Sequence, residues 1–366
     1  MLEASAYLAV RTLSRGDARS LFYWPPVIGA ERYAEYLTVR DPRLGWPAPR
    51  DLGGQRYDAA GSRPIPAFPH VGEECVSLYG NSFTYSPDVD DAHAWSNVLS
   101  QQLGCRVANF GVGGYGTDQA YLRFESNETD QAPVTILGFF VRDVLRNVSQ
   151  YVQFEFINTP TGFKPRFVVD GDRLQLIQLP RVEAVDFPTF AVAPERFLKH
   201  ETFLPGSRLG PAVVRFPFTL VLLRLATSER VLARMRGRPN WSDFLTPGHS
   251  SQGLEVTRGI MRKFADLCRT RGKRCLVVVF PAPSSYDYER KTGRSLTQHL
   301  TYALARDGID SLDLTPGIAR YLGARPYEDL LAQRQGHHNE EGDHVVATLV
   351  HEHMVRHGLL SVAAGQ

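Results

Sequence analysis

The alternation of short apolar runs with amphipathic segments, from Cys75 onward, restricts the fold more than any other feature of the sequence. The apolar runs predict five strands, at 75–80, 106–110, 133–140, 275–280 and 309–314. Helical spacing predicts helices at 94–103, 117–125, 255–270, 296–306 and 340–357. Strands that alternate with helices are joined by right-handed crossovers and form a parallel sheet. The sequence therefore predicts an α/β fold with a doubly wound parallel sheet.

Two parts of the chain lack this alternation. Residues 1–74 are irregular and rich in Pro, Gly and Arg, which favours an extension packed on the core over a separate domain. Residues 148–252 contain strand-like and Pro-containing pieces, which indicate one long insertion after the third strand. The core is then predicted in two parts, 75–147 and 253–366.

Composition excludes several classes of protein. Apolar residues make up 43% of the 366, so the chain is globular and not disordered. The net charge of +2 is too small to indicate a nucleic-acid binder. The N-terminus has no basic segment before an apolar core, and the apolar run at 216–226 is too short to cross a membrane and contains Arg224. We therefore expect a cytoplasmic protein with no signal peptide and no transmembrane segment.

The cysteines and histidines do not predict a metal site. The four cysteines, Cys75, Cys105, Cys268 and Cys275, form no CxxC pair, and we expect buried free thiols. Histidines are dense after position 336, but no HExxH motif is present. This favours histidines that are simply polar side chains on an exposed helix.

Residues 206–240 hold seven arginines against one acidic residue, Glu229. A basic amphipathic helix in this segment would lie on a membrane surface or bind an acidic polymer. The preferred interpretation is an exposed helix that packs on the protein through its Leu and Val side chains.

Three features lie at predicted strand ends or at a helix entry, where ligands bind in an open parallel sheet. Ser82 follows the first strand, the glycine-rich run 111–116 follows the second, and His337 lies just before the last helix. A hydroxyl, a loop of backbone N–H donors and a base are what acyl transfer needs. Taken singly, Ser82 would more often cap a helix, and His337 would more often open one. The glycines alone are compatible with a phosphate loop, but they lack both a GxGxxG motif in register and a Walker lysine.

These residues resemble three sequence blocks of the SGNH/GDSL hydrolases. The blocks are LYGNSFTYS, NFGVGGYGTDQ and the His-x-Asn-x-x-Gly pattern of His337, Asn339 and Gly342. FKPRFVVDGDRLQLI and FPAPSSYDY are similar to segments of SGNH-like proteins that accompany bacterial polysaccharide biosynthesis.

The resemblance implies a flavodoxin-like fold with Ser82 as nucleophile and His337 as base. The amides of Ser82 and Gly114 would form the oxyanion hole, together with an asparagine side chain from a further block. It implies an ester hydrolase or O-acyltransferase, with O-acetyl groups of a glycan or glycoconjugate as the substrate class, and it implies no cofactor and no metal.

Three departures from the family pattern favour weakened catalysis. Asn81 stands where the family usually has Asp, and the segment 138–143 lacks the expected asparagine, so Arg142 is the candidate donor. The acid that orients the histidine is replaced by Gln335, which can fix the tautomer but adds no charge. A Ser–His dyad or weakened triad is one expectation. The alternative is a non-catalytic protein of the same fold that binds a glycan or assists assembly.

Overall fold

The structure is a computed structural model that describes residues 1–15, 19–24, 30–45, 56–155, 162–171, 173–333 and 336–360. Its strands are β1 (Phe22–Tyr23), β2 (Glu74–Tyr79), β3 (Arg106–Asn109), β4 (Val134–Phe140), β5 (Arg166–Asp170), β6 (Arg173–Ile177), β7 (Ala212–Val213), β8 (Arg274–Phe280) and β9 (Ser311–Asp313). Its α-helices are α1 (Leu2–Leu13), α2 (Ala30–Val39), α3 (Ser82–Tyr85), α4 (Trp95–Leu103), α5 (Thr117–Ser126), α6 (Asp143–Asn147), α7 (Phe187–Val192), α8 (Phe218–Ala226), α9 (Glu229–Met235), α10 (Gly253–Thr270), α11 (Pro283–Thr292), α12 (Gln298–Arg306), α13 (Thr315–Leu322) and α14 (Glu340–Arg356).

The central sheet confirms the predicted fold class. Its five strands lie in the order β3-β2-β4-β8-β9, and every neighbouring pair is parallel. Counted along the core, this is the order 2-1-3-4-5 of a flavodoxin-like doubly wound sheet. The carboxyl ends of β2, β3 and β4 therefore lie side by side at one edge.

Burial explains why the inner strands read as continuous apolar runs. All seven residues of β4 are buried, and so are the last five of β8, which pairs with β4 from Val134↔Arg274 to Phe140↔Phe280. A parallel sheet has helices on both faces, so its inner strands need apolar side chains on both sides. Among these helices, α14 packs against α4.

The expectation of free thiols is wrong for all four cysteines, which lie in the described part of the chain. Cys75 pairs with Cys105, and Cys268 pairs with Cys275. Cys75 lies in β2 and Cys105 just precedes the neighbouring β3, so strand pairing brings their Cα atoms to 6.0 Å. Cys268 and Cys275 are joined across the short turn from α10 to β8, with Cα atoms 6.2 Å apart. Spacing along the sequence does not reveal pairs that depend on strand adjacency.

The chain forms two compact units. Unit 1 consists of Met1–Ala48 and Leu145–Gly253, and unit 2 consists of Pro49–Val144 and Leu254–Gln366. Unit 2 contains the five-stranded sheet, while unit 1 contains the antiparallel β5–β6 hairpin and the short parallel pair β1–β7. The division into extension, split core and insertion stays a prediction.

The arginine-rich segment lies within unit 1. Its helix α8 buries Val221 and Leu225 against Val10, Phe22 and Ala212, which agrees with a helix packed through its apolar side chains. A surface contact through residues 206–240 stays a prediction.

One of the arginines in this segment is not on the surface. The side chain of Arg230 is only 4% exposed and lies 2.6 Å from a carboxylate oxygen of Glu155. Arg230 also donates to the carbonyl of Ser20. No helix among the described residues is long and apolar enough to cross a membrane.

Two glycines let α3 pack onto the carboxyl edge of the sheet. A β-carbon at Gly138 would lie 2.2 Å from Thr84 Oγ1, and one at Gly80 would lie 1.9 Å from the same oxygen. Thr84 itself is buried in α3. Gly80, just after β2, and Gly138, within β4, therefore provide the space for the Thr84 side chain.

We predict that Gly138→Ala lowers the free energy of unfolding by about 1–3 kcal/mol, because the added methyl group overlaps Thr84. In a Thr84→Ala background, Gly138→Ala should lower the free energy of unfolding by clearly less, since the overlapping Thr84 oxygen is gone. Denaturant unfolding of the wild type, both single variants and the double variant measures this coupling. Additive effects would contradict the packing described here.

Candidate active site

Asn81, at the end of β2, fixes the start of α3. Its side-chain Oδ1 accepts a hydrogen bond from the backbone N–H of Phe83 at 2.8 Å, so Asn81 caps the helix. Ser82 is the first residue of α3 and is half-buried. The capping role considered for Ser82 therefore belongs to Asn81. The Ser82 hydroxyl makes no hydrogen bond to any residue in the described part of the chain.

The amide of Asn81 has a second role. Its Nδ2 donates to Asp143 Oδ2 at 2.7 Å, and the backbone N–H of Phe140 donates to the same oxygen at 3.2 Å. Asp143 is the first residue of α6 and is buried. Asn81 thus pairs with a carboxylate, and the Asp143 side chain links the segment after β2 to the end of β4. Arg142 lies in the turn before Asp143 and is half-buried, and its role stays a prediction.

His337 lies beside α3, the helix that begins at Ser82. Its ring contacts the ring of Phe83, the residue after Ser82, edge to face with centroids 5.1 Å apart. Two interactions of Asn339 explain the His-x-Asn-x-x-Gly spacing: its Oδ1 accepts the N–H of Gly342 at 2.9 Å, and its Nδ2 donates to the carbonyl of Asp329. A β-carbon at Gly342 would lie 2.3 Å from the carbonyl of Leu330. The motif therefore fixes the loop that carries His337 at the entry of α14.

Asp88 is the acidic partner that sequence reasoning missed. Its Oδ2 lies 3.2 Å from His337 Nδ1, and it also accepts the backbone N–H of His337 at 3.2 Å. A carboxylate at Nδ1 favours the tautomer with its proton on that nitrogen, which is the tautomer that a base acting through Nε2 needs. Gln335, the residue predicted to orient the ring, lies outside the described residues. Asp88 follows Ser82 by six positions in an acidic loop, and no spacing rule marks it.

A buried arginine holds the loop that carries Asp88. The side chain of Arg63 is 3% exposed, and its Nε donates to Asp91 Oδ1 at 2.9 Å. Its terminal nitrogens donate to the carbonyls of Tyr85, Ser86 and Val89. Because one guanidinium binds residues on both sides of Asp88, it fixes the position of the loop that contains Asp88.

The glycine-rich loop lies next to the same strand end. The N–H of Phe110 donates to Leu78, and that of Val112 donates to Gly80 at 3.1 Å, which continues the β3–β2 pairing. A β-carbon at Gly111 would lie 2.7 Å from the backbone nitrogen of Tyr85, so only glycine allows this approach to α3. Gly114 has φ +81°, a left-handed conformation that favours glycine. Its predicted role as an amide donor stays a prediction.

Next to His337, a buried pair of titratable groups lies under the site. Burial lowers the pKa of His338 to about 3, so its imidazole is neutral at pH 7. Its Nε2 is 2.9 Å from the Tyr327 hydroxyl, and its Nδ1 is 3.7 Å from Asp343 Oδ1. Burial raises the pKa of Asp343 to about 7, although its other oxygen accepts the N–H of Trp95. Asp343 is therefore partly protonated near neutral pH.

This shift predicts a pH effect on stability. The pKa of Asp343 rises from 3.8 to about 7 on folding, so the folded state binds more protons between those values. The contribution is complete at low pH and is lost as pH rises through 7. Relative to Asp343→Asn, the wild type should lose free energy of unfolding from about pH 4 to about pH 8. Denaturant unfolding of both proteins across this range measures it, and a pH-independent difference would contradict the assignment.

Solved structures similar to this one include three proteins with low sequence identity. A member of the lipolytic protein G-D-S-L family from Veillonella parvula DSM 2008 is 13% identical, covers 77% of this chain and 98% of its own, and has a TM-score of 0.37. A catalytic mutant of the acetylxylan esterase Axe2 from Geobacillus stearothermophilus is 12% identical, with 77% and 94% covered and a TM-score of 0.39. LAE5, an alpha/beta hydrolase from the metagenome of Lake Arreo, is 12% identical, with 79% and 97% covered and a TM-score of 0.41. No protein-family model and no curated protein matches the sequence. At these TM-scores the likenesses carry no argument about function.

Proposed function

We propose that this chain is an SGNH-type serine ester hydrolase or O-acyltransferase, in which Ser82 is the nucleophile and His337 the base. The observation that carries the proposal is the Asp88 carboxylate at His337 Nδ1, 3.2 Å away. This carboxylate supplies the charge that Gln335 cannot supply, which supports a Ser–His–Asp triad over the weakened triad expected from the sequence. Asp88 acts as a positioning residue, because it works through His337.

The proposed reaction gives each of these residues one role. Ser82 Oγ attacks the ester carbonyl carbon while its proton passes to His337 Nε2. The amides of Ser82 and Gly114 donate to the oxyanion of the tetrahedral intermediate. Collapse breaks the bond to the alcohol, which takes the proton from His337, and leaves the acyl group on Ser82. Water then releases the acid in a hydrolase, or a sugar hydroxyl takes the acyl group in a transferase, with His337 again moving the proton.

The substrate class rests on the sequence resemblance. O-acetyl groups on a glycan or glycoconjugate remain our proposal, and no cofactor or metal takes part in the steps above. The insertion, residues 148–252, would shape substrate choice, because loops on a rigid scaffold carry specificity. The two disulfides are typical of proteins in oxidising compartments. They therefore argue against the cytoplasmic location that the sequence predicts.

A fluorophosphonate tests the nucleophile. We expect one phosphonyl adduct on the wild type, measured by intact mass, and none on Ser82→Ala. Hydrolysis of p-nitrophenyl acetate by Ser82→Ala should fall by at least about 10³-fold, since the covalent route is lost. No adduct on folded wild-type protein would contradict the proposal.

Asp88 has a matched control in the same loop. Asp90 is also exposed, but its carboxylate pairs with His93 at 2.8 Å and not with His337. We expect Asp88→Asn to lower kcat by about 10²–10⁴-fold with little change in KM, because the imidazole tautomer and its charge are no longer fixed. Asp90→Asn should stay close to wild type. Equal effects of the two substitutions would contradict the role given to Asp88.

The second candidate is a glycan-binding or assembly protein without turnover. The observation that favours it is the Ser82 hydroxyl, which makes no hydrogen bond to another described residue, so nucleophile and base are not yet joined. Glycan affinity that is unchanged in Ser82→Ala, in a protein that never forms the phosphonyl adduct, would favour this alternative.

A further inference from the structure

A cluster of three possible metal ligands lies away from the candidate active site. His353 and His357 are one turn apart at the end of α14, and Asp310 lies just before β9. One ligand atom from each residue lies within 4.8 Å of the other two. Ser82 follows the carboxyl end of β2, whereas Asp310 precedes the amino end of β9, so the two sites lie at opposite edges of a parallel sheet. The active-site chemistry does not use these residues.

The positions of the three side chains fit a shared ion. His353 Nε2 is 2.9 Å and His357 Nδ1 is 3.7 Å from the same oxygen, Asp310 Oδ1. The two imidazole rings are stacked, with centroids 4.0 Å apart and planes inclined by 16°. Ligands that each lie about 2.0–2.2 Å from zinc are on the order of 3.3 Å apart in a tetrahedral site. Because stacked rings direct their in-plane lone pairs along parallel planes, one ring must rotate before both imidazoles can bind the same ion. His357, with 44% of its side chain exposed, has the room to rotate and to bring the three atoms to coordination distance.

The cluster is buried on the side of His353 and exposed to solvent on the side of His357. The side chain of His353 is 9% exposed and that of Asp310 is 26% exposed, whereas that of His357 is 44% exposed. The carbonyl of Asp310 accepts the N–H of Val277, which anchors that residue to β8. Water can reach the side of His357 and complete the coordination of an ion.

We propose that Asp310, His353 and His357 form a zinc-binding site that ties the last turn of α14 to the sheet. Two imidazoles and a carboxylate suit Zn²⁺ better than Mg²⁺, which prefers oxygen ligands. All four cysteines are paired as disulfides, so no free thiolate in the described chain competes for the ion. The bound ion replaces the His353–Asp310 hydrogen bond, and water molecules fill the remaining positions.

Titration calorimetry on tag-free protein, treated with EDTA and dialysed, tests the site. We expect one Zn²⁺ per chain on the wild type and no comparable binding of Mg²⁺. His357→Ala removes an exposed ligand and should fold normally, but it should bind zinc at least about tenfold more weakly. His344→Ala is the control, because His344 is exposed on the same helix and lies outside the cluster.

Thermal unfolding provides a second measurement. Zinc should raise the Tm of the wild type and of His344→Ala, because it binds the folded state, and should leave His357→Ala and Asp310→Asn almost unchanged. Three results would overturn the proposal: no stoichiometric binding to the wild type, equal affinity in His357→Ala, or an equal loss in His344→Ala. The active-site proposal does not depend on any of them.

Discussion

The buried guanidinium of Arg63 organises the candidate site. It bonds to carbonyls and to a carboxylate on both sides of the loop that follows α3, and breaking such a buried pair generally costs about 3–5 kcal/mol. Ser82 lies before this loop and Asp88 lies within it. One short segment thus carries both the proposed nucleophile and its proposed acidic partner, while the proposed base comes from the other end of the core. The geometry of the proposed triad therefore depends on an arginine whose hydrogen bonds go to Tyr85, Ser86, Val89 and Asp91 and not to the triad itself.

The strand order explains how distant parts of the sequence meet. Because β2 lies between β3 and β4, the cap of α3, the glycine-rich loop and the turn at Asp143 are neighbours at one edge. Glycines at positions 80, 111 and 138 allow close approach between these loops and α3. The helix α14 packs on α4, and its N-cap, Asn339, holds the loop in which His337 contacts Phe83 of α3. The three sequence blocks that carry the resemblance thus each have a structural reason for their spacing.

The strands and long helices of the core could be predicted because their apolar periodicity is strong. The four-residue helix α3 could not, since its fold depends on the Asn81 cap and on the glycines beneath it. Asp88 was missed for a similar reason, because a loop conformation and not a spacing brings it to His337. The disulfide between Cys75 and Cys105 follows from the adjacency of β2 and β3, which local sequence does not encode. Local pattern thus predicted the scaffold, and long-range contacts decided the details of the site.

A crystal structure of the fluorophosphonate-treated protein tests the central claim most directly. We expect phosphorus bonded to Ser82 Oγ, the phosphonyl oxygen within hydrogen-bond distance of the amides of Ser82 and Gly114, and His337 between the adduct and Asp88. An adduct on another residue would contradict the account. So would a labelled Ser82 whose neighbouring His337 no longer contacts Asp88.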